Sequence, residues 1–379
     1  MKIFHILPGV FISICLILAA STQTSGLPTL PSGKENPLPI LFPQLNAKPA
    51  PSWVEEGLRA TYYATVDQGQ GPRDGKPRTG DALLQTDVVA LEGSLVTTST
   101  ASYVRSPLGL FRPLTGGGFG SVVPAGCGDF WCSPEVLAEL PEGEDGDLTV
   151  IRGPVEAAGS TFQAVRLEVK RTGIRYAMTY DRETGLLLHH RYDIRSADGA
   201  TTETGIISLQ NLREVEIPWT GGTSPNWLRA GQTTSYRGET VFEIPGTVPT
   251  PFPIDLRAEV VSVSPEASII KWTAPGDAGG SIPHYAASGV YQLLGFWLPE
   301  TALAIDEVGD VDADPDTGLL ISVIQNDRNG IVFQETNGRD YQRLLTYDKA
   351  TGRLLESYEE RLTEPFTSTV QKTVVELVS

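Results

Sequence analysis

Few side chains in this sequence have the type and spacing that chemistry needs. Of its three cysteines, Cys15 lies in an apolar N-terminal run, which leaves Cys127-Gly-Asp-Phe-Trp-Cys132 as a pair. Four residues separate the two, where a redox dithiol uses two, and the further ligands of a zinc site are missing nearby. In an oxidising compartment the pair is expected as a local disulfide, contributing about 2 kcal/mol through its small loop. Asp306, Asp310, Asp312, Asp314 and Asp316 crowd one segment. Asp312-Ala-Asp314-Pro-Asp316 alternates as calcium ligands do, but a calcium loop places Gly directly after the third ligand and closes on an acidic residue. Here Thr317 follows, Gly318 comes one residue late and Val323 stands at the closing position. A solvated acidic loop is the expectation.

His189 and His190 are neighbours in a predicted strand, so they point to opposite faces and cannot form one site; His190 falls on the core face. Thr115-Gly-Gly-Gly-Phe-Gly120 is glycine-rich but lacks the lysine of a phosphate loop. Neither G-x-S-x-G nor H-E-x-x-H occurs. No catalytic residue, metal or cofactor is therefore expected. The aromatic pairs Phe130-Trp131 and Phe296-Trp297 sit beside Gly- or Pro-rich loops and are the candidate ligand-gripping residues at a pocket mouth. The competing reading is a core plug, repeated because each half of the chain needs one.

Composition narrows the partners. The 379 residues carry 46 acidic and 29 basic side chains, a formal charge of −17, which repels phosphate backbones and argues against nucleic acid. Lys2, an apolar stretch from Val10 to Ala20 and the small residues Ala19, Ala20 and Ser21 read as a signal peptide over 1–21. The protein is then exported, periplasmic or extracellular, and peripheral to a membrane at most. Residues 22–52, rich in Pro and Ser without a period, are expected as a disordered linker.

Elements come from an internal repeat over 53–218 and 227–379. Trp53-Val-Glu-Glu-Gly57 with Tyr62 matches Trp227-Leu-Arg-Ala-Gly231 with Tyr236. Phe130-Trp131 matches Phe296-Trp297, and Phe162-Gln163 matches Phe333-Gln334. Thr179-Tyr-Asp-Arg-Glu-Thr-Gly-Leu-Leu187 matches Thr346-Tyr-Asp-Lys-Ala-Thr-Gly-Arg-Leu354. Asn329-Gly330 and Asn337-Gly338 mark tight turns, and period-two alternation such as Leu186, Leu188, His190, Tyr192 and Ile194 predicts antiparallel strands with one covered face. Five strands are predicted in each half, roughly 147–152, 160–170, 174–181, 186–195 and 201–217, then 319–325, 331–336, 340–348, 353–362 and 366–378. Helix signals are short, at Ser133-Pro134-Glu135 and from Pro299 to Ile305. The fold class is mainly β, or β-rich α+β: two tandem repeats, each a curved antiparallel sheet with a short helix or loop cover.

The strand, Asp-x-x-Thr-Gly turn and strand over Tyr180 to Leu209, and more loosely Tyr347 to Leu377, resemble the hairpins of periplasmic lipoprotein-carrier and lipoprotein-binding half-barrels. The resemblance spans about 30 residues per repeat. It implies a curved sheet around an apolar concavity that binds acyl chains or senses envelope stress without catalysis. The functional expectation is a non-catalytic envelope or extracellular protein binding a hydrophobic small molecule or another envelope protein. The alternative is a secreted hydrolase of the carboxylate-pair glycosidase type, recognised by two carboxyls facing across a cleft.

Overall fold

The computed structural model describes residues 38, 42–70, 77–114, 118–195, 201–219, 221–274, 284–364 and 369–378; residues 1–21, expected as a signal peptide, lie outside them. The described chain forms two open antiparallel sheets. The first contains β1 (Leu58–Gln70), β2 (Pro77–Glu92), β3 (Leu95–Arg105), β4 (Phe111–Pro113), β5 (Phe119–Pro124), β6 (Gly143–Asp145), β7 (Leu148–Ala157), β8 (Ser160–Arg171), β9 (Ile174–Asp181), β10 (Leu187–Arg195) and β11 (Thr201–Glu214). The second contains β12 (Thr233–Glu243), β13 (Thr250–Val263), β14 (Ala267–Thr273), β15 (His284–Gly289), β16 (Gly309–Ala313), β17 (Leu320–Asn326), β18 (Gly330–Thr336), β19 (Tyr341–Asp348), β20 (Leu354–Glu364) and β21 (Thr369–Leu377).

Strand order is β4-β3-β2-β1-β11-β10-β9-β8-β7-β6 in the first sheet, with β5 also on β3, and β15-β14-β13-β12-β21-β20-β19-β18-β17-β16 in the second. The orders are the same. Each copy runs outward from its first strand, then returns so that its last strand pairs with the first. The five-strand meanders expected from sequence form β7–β11 and β17–β21; the strands before them extend each sheet further than alternation indicated.

Three of the repeated landmarks build the same knot in both copies; Phe162 and Phe333 do not correspond, because register sets Leu167 opposite Met178 and Phe333 opposite Leu345. Trp53 Nε1 donates to Thr184 O and Trp227 Nε1 to Thr351 O, each at 2.7 Å. Tyr62 and Tyr236 hydroxyls donate to Leu187 O and Leu354 O, each at 2.8 Å. Leu187 N donates to Phe130 O, as Leu354 N does to Phe296 O. The turn glycines have φ of +77° at Gly185 and +70° at Gly352. Their backbones lie so close to the aromatic segment that a Cβ would stand 1.9 Å from Cys132 O and 2.3 Å from Leu298 O. The Asp-x-x-Thr-Gly motif is thus a turn that docks the Phe-Trp segment against the sheet, which explains why the two signals recur together.

Each sheet wraps its own core. Val96 of β3 and Val150 of β7, far apart in the strand order, belong to one apolar cluster with Phe130 and Trp131. In the second copy Phe296 and Trp297 join the cluster on β12–β14, and Leu298 the cluster on β17–β20. The covers are short as expected: α1 (Pro134–Glu139) buries Val136 and Leu137, and α2 (Glu300–Leu303) buries Ala302. Residues 22–52 require a correction. Their last part is not a disordered linker: Leu38, Phe42 and Leu45 enter the first core, and Pro43–Ala47 form a 3₁₀ turn. An apolar residue at every third or fourth position supplied enough buried area to order the segment.

The acidic segment also departs from expectation. Asp314-Pro-Asp-Thr-Gly318 is a third Asp-x-x-Thr-Gly turn: Gly318 N donates to Asp314 O, Thr317 N to Asp314 Oδ1, and Gly318 has φ +72°. It joins β16 to β17 and docks on the first sheet. Asp314 Oδ2 accepts from Gln85 Nε2 at 2.7 Å, Arg59 at 3.0 Å and Arg213 at 3.1 Å. Arg213 also grips Asp312 with two bonds of 2.9 Å, and Arg59 grips Asp87 at 2.7 and 2.9 Å. Asp312 and Asp314 are buried, so this is an ion-paired junction between the copies rather than a solvated loop. Around it Leu83 and Tyr103 pack on Leu319 and Tyr341, and Val89 and Ala90 pack on Ala267, Ile269 and Ala287. Contact there is close enough that a Cβ on Gly120 would lie 2.1 Å from Ala287 N.

Candidate binding pocket in the first copy

Phe130, Trp131, Phe296 and Trp297 are core residues, between 0% and 4% exposed. They do not line a mouth. Trp131 Nε1 donates to Ala125 O at 2.7 Å and Trp297 Nε1 to Ser268 Oγ at 2.8 Å, so even their polar edges are turned inward. Large aromatic area is best satisfied at the centre of a wrapped sheet, and both copies place it there.

Cys127 and Cys132 are likewise buried and are paired across a short antiparallel bridge. The backbone also closes this loop, through Gly128 N to Trp131 O and Ser133 N to Gly126 O. The corresponding residues of the second copy, Leu293 and Leu298, meet in one apolar cluster.

A pocket of about 70 Å³ opens beside this knot, under β5 of the Gly-rich segment. That is several times the ~10–15 Å³ that admits one water, about half the ~150 Å³ of an enclosed cavity that takes benzene, and too little for a long acyl chain. Tyr62, Leu84, Phe119, Leu187 and Ile207 make most of its wall, with Thr86 and Thr100 hydrogen-bonded to each other at 2.9 Å. Two titratable residues, Asp129 and His190, complete its lining. Asp129 Oδ2 accepts from Thr98 Oγ1 at 2.6 Å and from Ser121 Oγ at 3.3 Å, while its buried Oδ1 has no partner among the described residues. His190 Nε2 is buried and equally unpartnered among them. Burial pushes the Asp129 carboxyl up to about 6, against the Thr98 and Ser121 hydrogen bonds, and pushes the His190 imidazole down to about 4. At neutral pH the pocket therefore presents a poorly solvated carboxylate beside a neutral imidazole. Leaving such atoms unpaired costs about 1–3 kcal/mol each, more for the charge.

His190 occupies the inner face, as its alternation indicated; His189 on the outer face bonds Ser208 Oγ and Glu156 O. Asp129 was not singled out in the sequence. The available signal was a difference between the copies, since the residue before the repeated Phe-Trp pair is Asp129 in one and Gly295 in the other.

Sheet register extends that comparison. Tyr62 pairs with Leu84, and Thr86 with Thr100; Tyr236 pairs with Leu256, and Ala258 with Trp272. Thr100 therefore corresponds to Trp272, and His190, opposite Ile207, to Ser357, opposite Val375. In the second copy the Trp272 ring fills the equivalent place, with its centroid 5.5 Å from Tyr236 and 5.7 Å from Phe296. The same fold is plugged by its own side chain in one copy and left open, with a carboxylate and an imidazole, in the other.

A different carboxyl pair lies at the junction. Burial and the adjacent Glu266 push Glu56 up to about 7.

No protein-family model matches the chain, and no curated protein matches it. Among solved structures, MucB in complex with MucA(peri) is 13% identical, covering 84% of this chain and 89% of that one, with a TM-score of 0.22. MucB alone is 14% identical, covering 79% and 93%, with a TM-score of 0.24. A protein of unknown function from the DUF3598 family of Nostoc punctiforme is 9% identical, covering 86% and 96%, at 0.18. At such scores the function has to be argued from the residues of this chain. No helix among its described residues is long and apolar enough to cross a membrane.

Proposed function

We propose that this is an exported, non-catalytic binding protein of two domains, 53–218 and 227–379, whose ligand site is the pocket of the first domain. The observation that carries the reading is the pair of buried, unpartnered polar atoms, Asp129 Oδ1 and His190 Nε2, in a pocket whose counterpart is plugged by Trp272. Unpaired buried groups are retained where a ligand completes their hydrogen bonds. The hydroxyls near Asp129 donate to it in a closed set, and the dense acidic loop is engaged by Arg59 and Arg213. Both favour holding a molecule over hydrolysing one.

The test is native mass spectrometry of the protein expressed with its own leader and purified from the exported fraction. The wild type should carry a small molecule, with its N-terminus near residue 22, and Thr100→Trp should carry none. A wild-type mass equal to the bare chain would overturn the ligand reading.

A second reading rests on the β12–β13 hairpin. Phe242, Ile244, Val248 and Phe252 are all exposed at its end, with the two phenylalanine rings 5.9 Å apart. Exposed apolar clusters of this kind mark protein interfaces, and an envelope protein is the partner this reading supports.

A further inference from the structure

We infer that the first-copy pocket selects a small aromatic amine: a flat ring seated where Trp272 sits in the second copy, bearing an ammonium or N–H donor toward Asp129 Oδ1. The inference deepens the ligand reading above and rests on it. The ring is argued from register, because Thr100 and Trp272 occupy the same place in the two sheets, beside the matching tyrosines Tyr62 and Tyr236. In the second copy that place holds an indole, tilted 44° against Tyr236 and at 85° to Phe296. Edge-on and tilted packing of this kind is what aromatic quadrupoles favour. With Thr100 instead of Trp, the first copy keeps the tyrosine and the aliphatic wall of Leu84 and Ile207 and lacks the ring.

The charge is argued from Asp129. One carboxylate oxygen is held by two hydroxyl donors; the other is buried and unpartnered among the described residues, on a residue that lines the pocket. A carboxylate oxygen accepts only, so its complement is a donor, and in a low-dielectric site a cationic donor is preferred. His190 Nε2, stacked on Tyr176 with ring centroids 6.0 Å apart, adds a second fixed polar point for a neutral donor or acceptor. A fatty acid or any other anion would meet Asp129 with like charge. The hydrophobic ligand expected from sequence is thereby narrowed to an apolar ring with a positive end.

The experiment titrates the full mature protein at pH 7.5 with three probes, tryptamine, indole-3-propionate and 3-methylindole, by ligand-observed NMR and calorimetry. Tryptamine should bind saturably, at least tenfold tighter than indole-3-propionate. Asp129→Asn should weaken tryptamine at least tenfold and leave 3-methylindole unchanged. Thr100→Trp, which repeats the side chain of the second copy, should remove all three while the protein keeps its circular dichroism and melting temperature. Equal affinity for the amine and the acid, both lost in Thr100→Trp, would overturn the amine selectivity and leave the pocket reading standing. Tryptamine binding that survives Thr100→Trp, or no saturable binding of any probe at millimolar concentration, would overturn the inference. A retained native molecule that Thr100→Trp abolishes would then still uphold the ligand site.

Discussion

Replacing Asp312 and Asp314 together by alanine is expected to cost about 3–5 kcal/mol, because two arginines that face the junction lose their anionic partners. Among the described residues, Arg213 would retain no ion pair, and Arg59 only that with Asp87. The effect should be localised. Each copy keeps its own core, so one cooperative unfolding transition should become two in scanning calorimetry. A single transition shifted by less than about 1 kcal/mol would mean that the ion pairs merely decorate an apolar interface.

The same junction sets a pH dependence. Burial pushes the Asp314 carboxyl up, but the Thr317 N–H, Arg59, Gln85 and the Asp316 N–H outweigh it and hold it at about 2. A depressed folded pKa contributes stability that is complete above the unfolded value, about 4, and is lost as pH falls toward 2. Glu56 has the opposite sign. Its carboxyl, raised from 4.5 to about 7, makes stability fall as pH rises through that window. The His190 imidazole, lowered from 6.5 to about 4, opposes it, since its stabilisation is lost as pH falls through the same window. Glu56→Gln should therefore remove the declining contribution and leave melting temperature rising more steeply from pH 4.5 to 7 than in the wild type.

Truncating the buried indoles is expected to be equally severe. Trp131→Ala and Trp297→Ala should each destabilise by about 3–5 kcal/mol, the range for large aromatics removed from a core. Each ring is fully buried, each donates its N–H inside the core, and Trp131 lies so close over Gly128 that a Cβ there would sit 2.1 Å from the ring. Urea midpoints should fall with the slope unchanged. A loss below about 1 kcal/mol would show that these rings do not carry the core. Because the expected loss is structural, such variants cannot report on ligand contact, whereas Thr100→Trp and Asp129→Asn can.

These residues also show what was legible in the sequence. The Trp, Tyr, Phe-Trp and Asp-x-x-Thr-Gly landmarks could be read because they form one local knot, twice, with the same backbone hydrogen bonds. The meander strands were legible because apolar and polar residues alternate along most of them, although β9 and β18 are buried on both faces. Strands β1–β3 were not, because the opposite copy covers their second face. Gln85 is buried there against Asp314, while Thr86, Thr98 and Thr100 are buried on the inner face around the pocket, so polar residues occur on both covered faces and erase the period of two. Asp314-Pro-Asp-Thr-Gly-Leu-Leu320 carries the same turn signature as Asp181-Arg-Glu-Thr-Gly-Leu-Leu187. Its alternating carboxylates drew attention to metal chemistry, although the arginines that neutralise them lie at 59 and 213 and meet them only in the folded chain. The pocket was the least legible feature. Its wall comes from residues as distant as Tyr62 and Ile207, and its meaning emerges only when register sets Thr100 beside Trp272.

The most direct test is a crystal structure of the protein purified from its exported fraction. Binding in the first copy predicts non-protein density between Tyr62 and Thr100, within hydrogen-bond distance of Asp129 Oδ1, with the second copy closed by Trp272. A pocket holding only water, or filled by its own side chains, with Asp129 Oδ1 bonded within the protein, would contradict it.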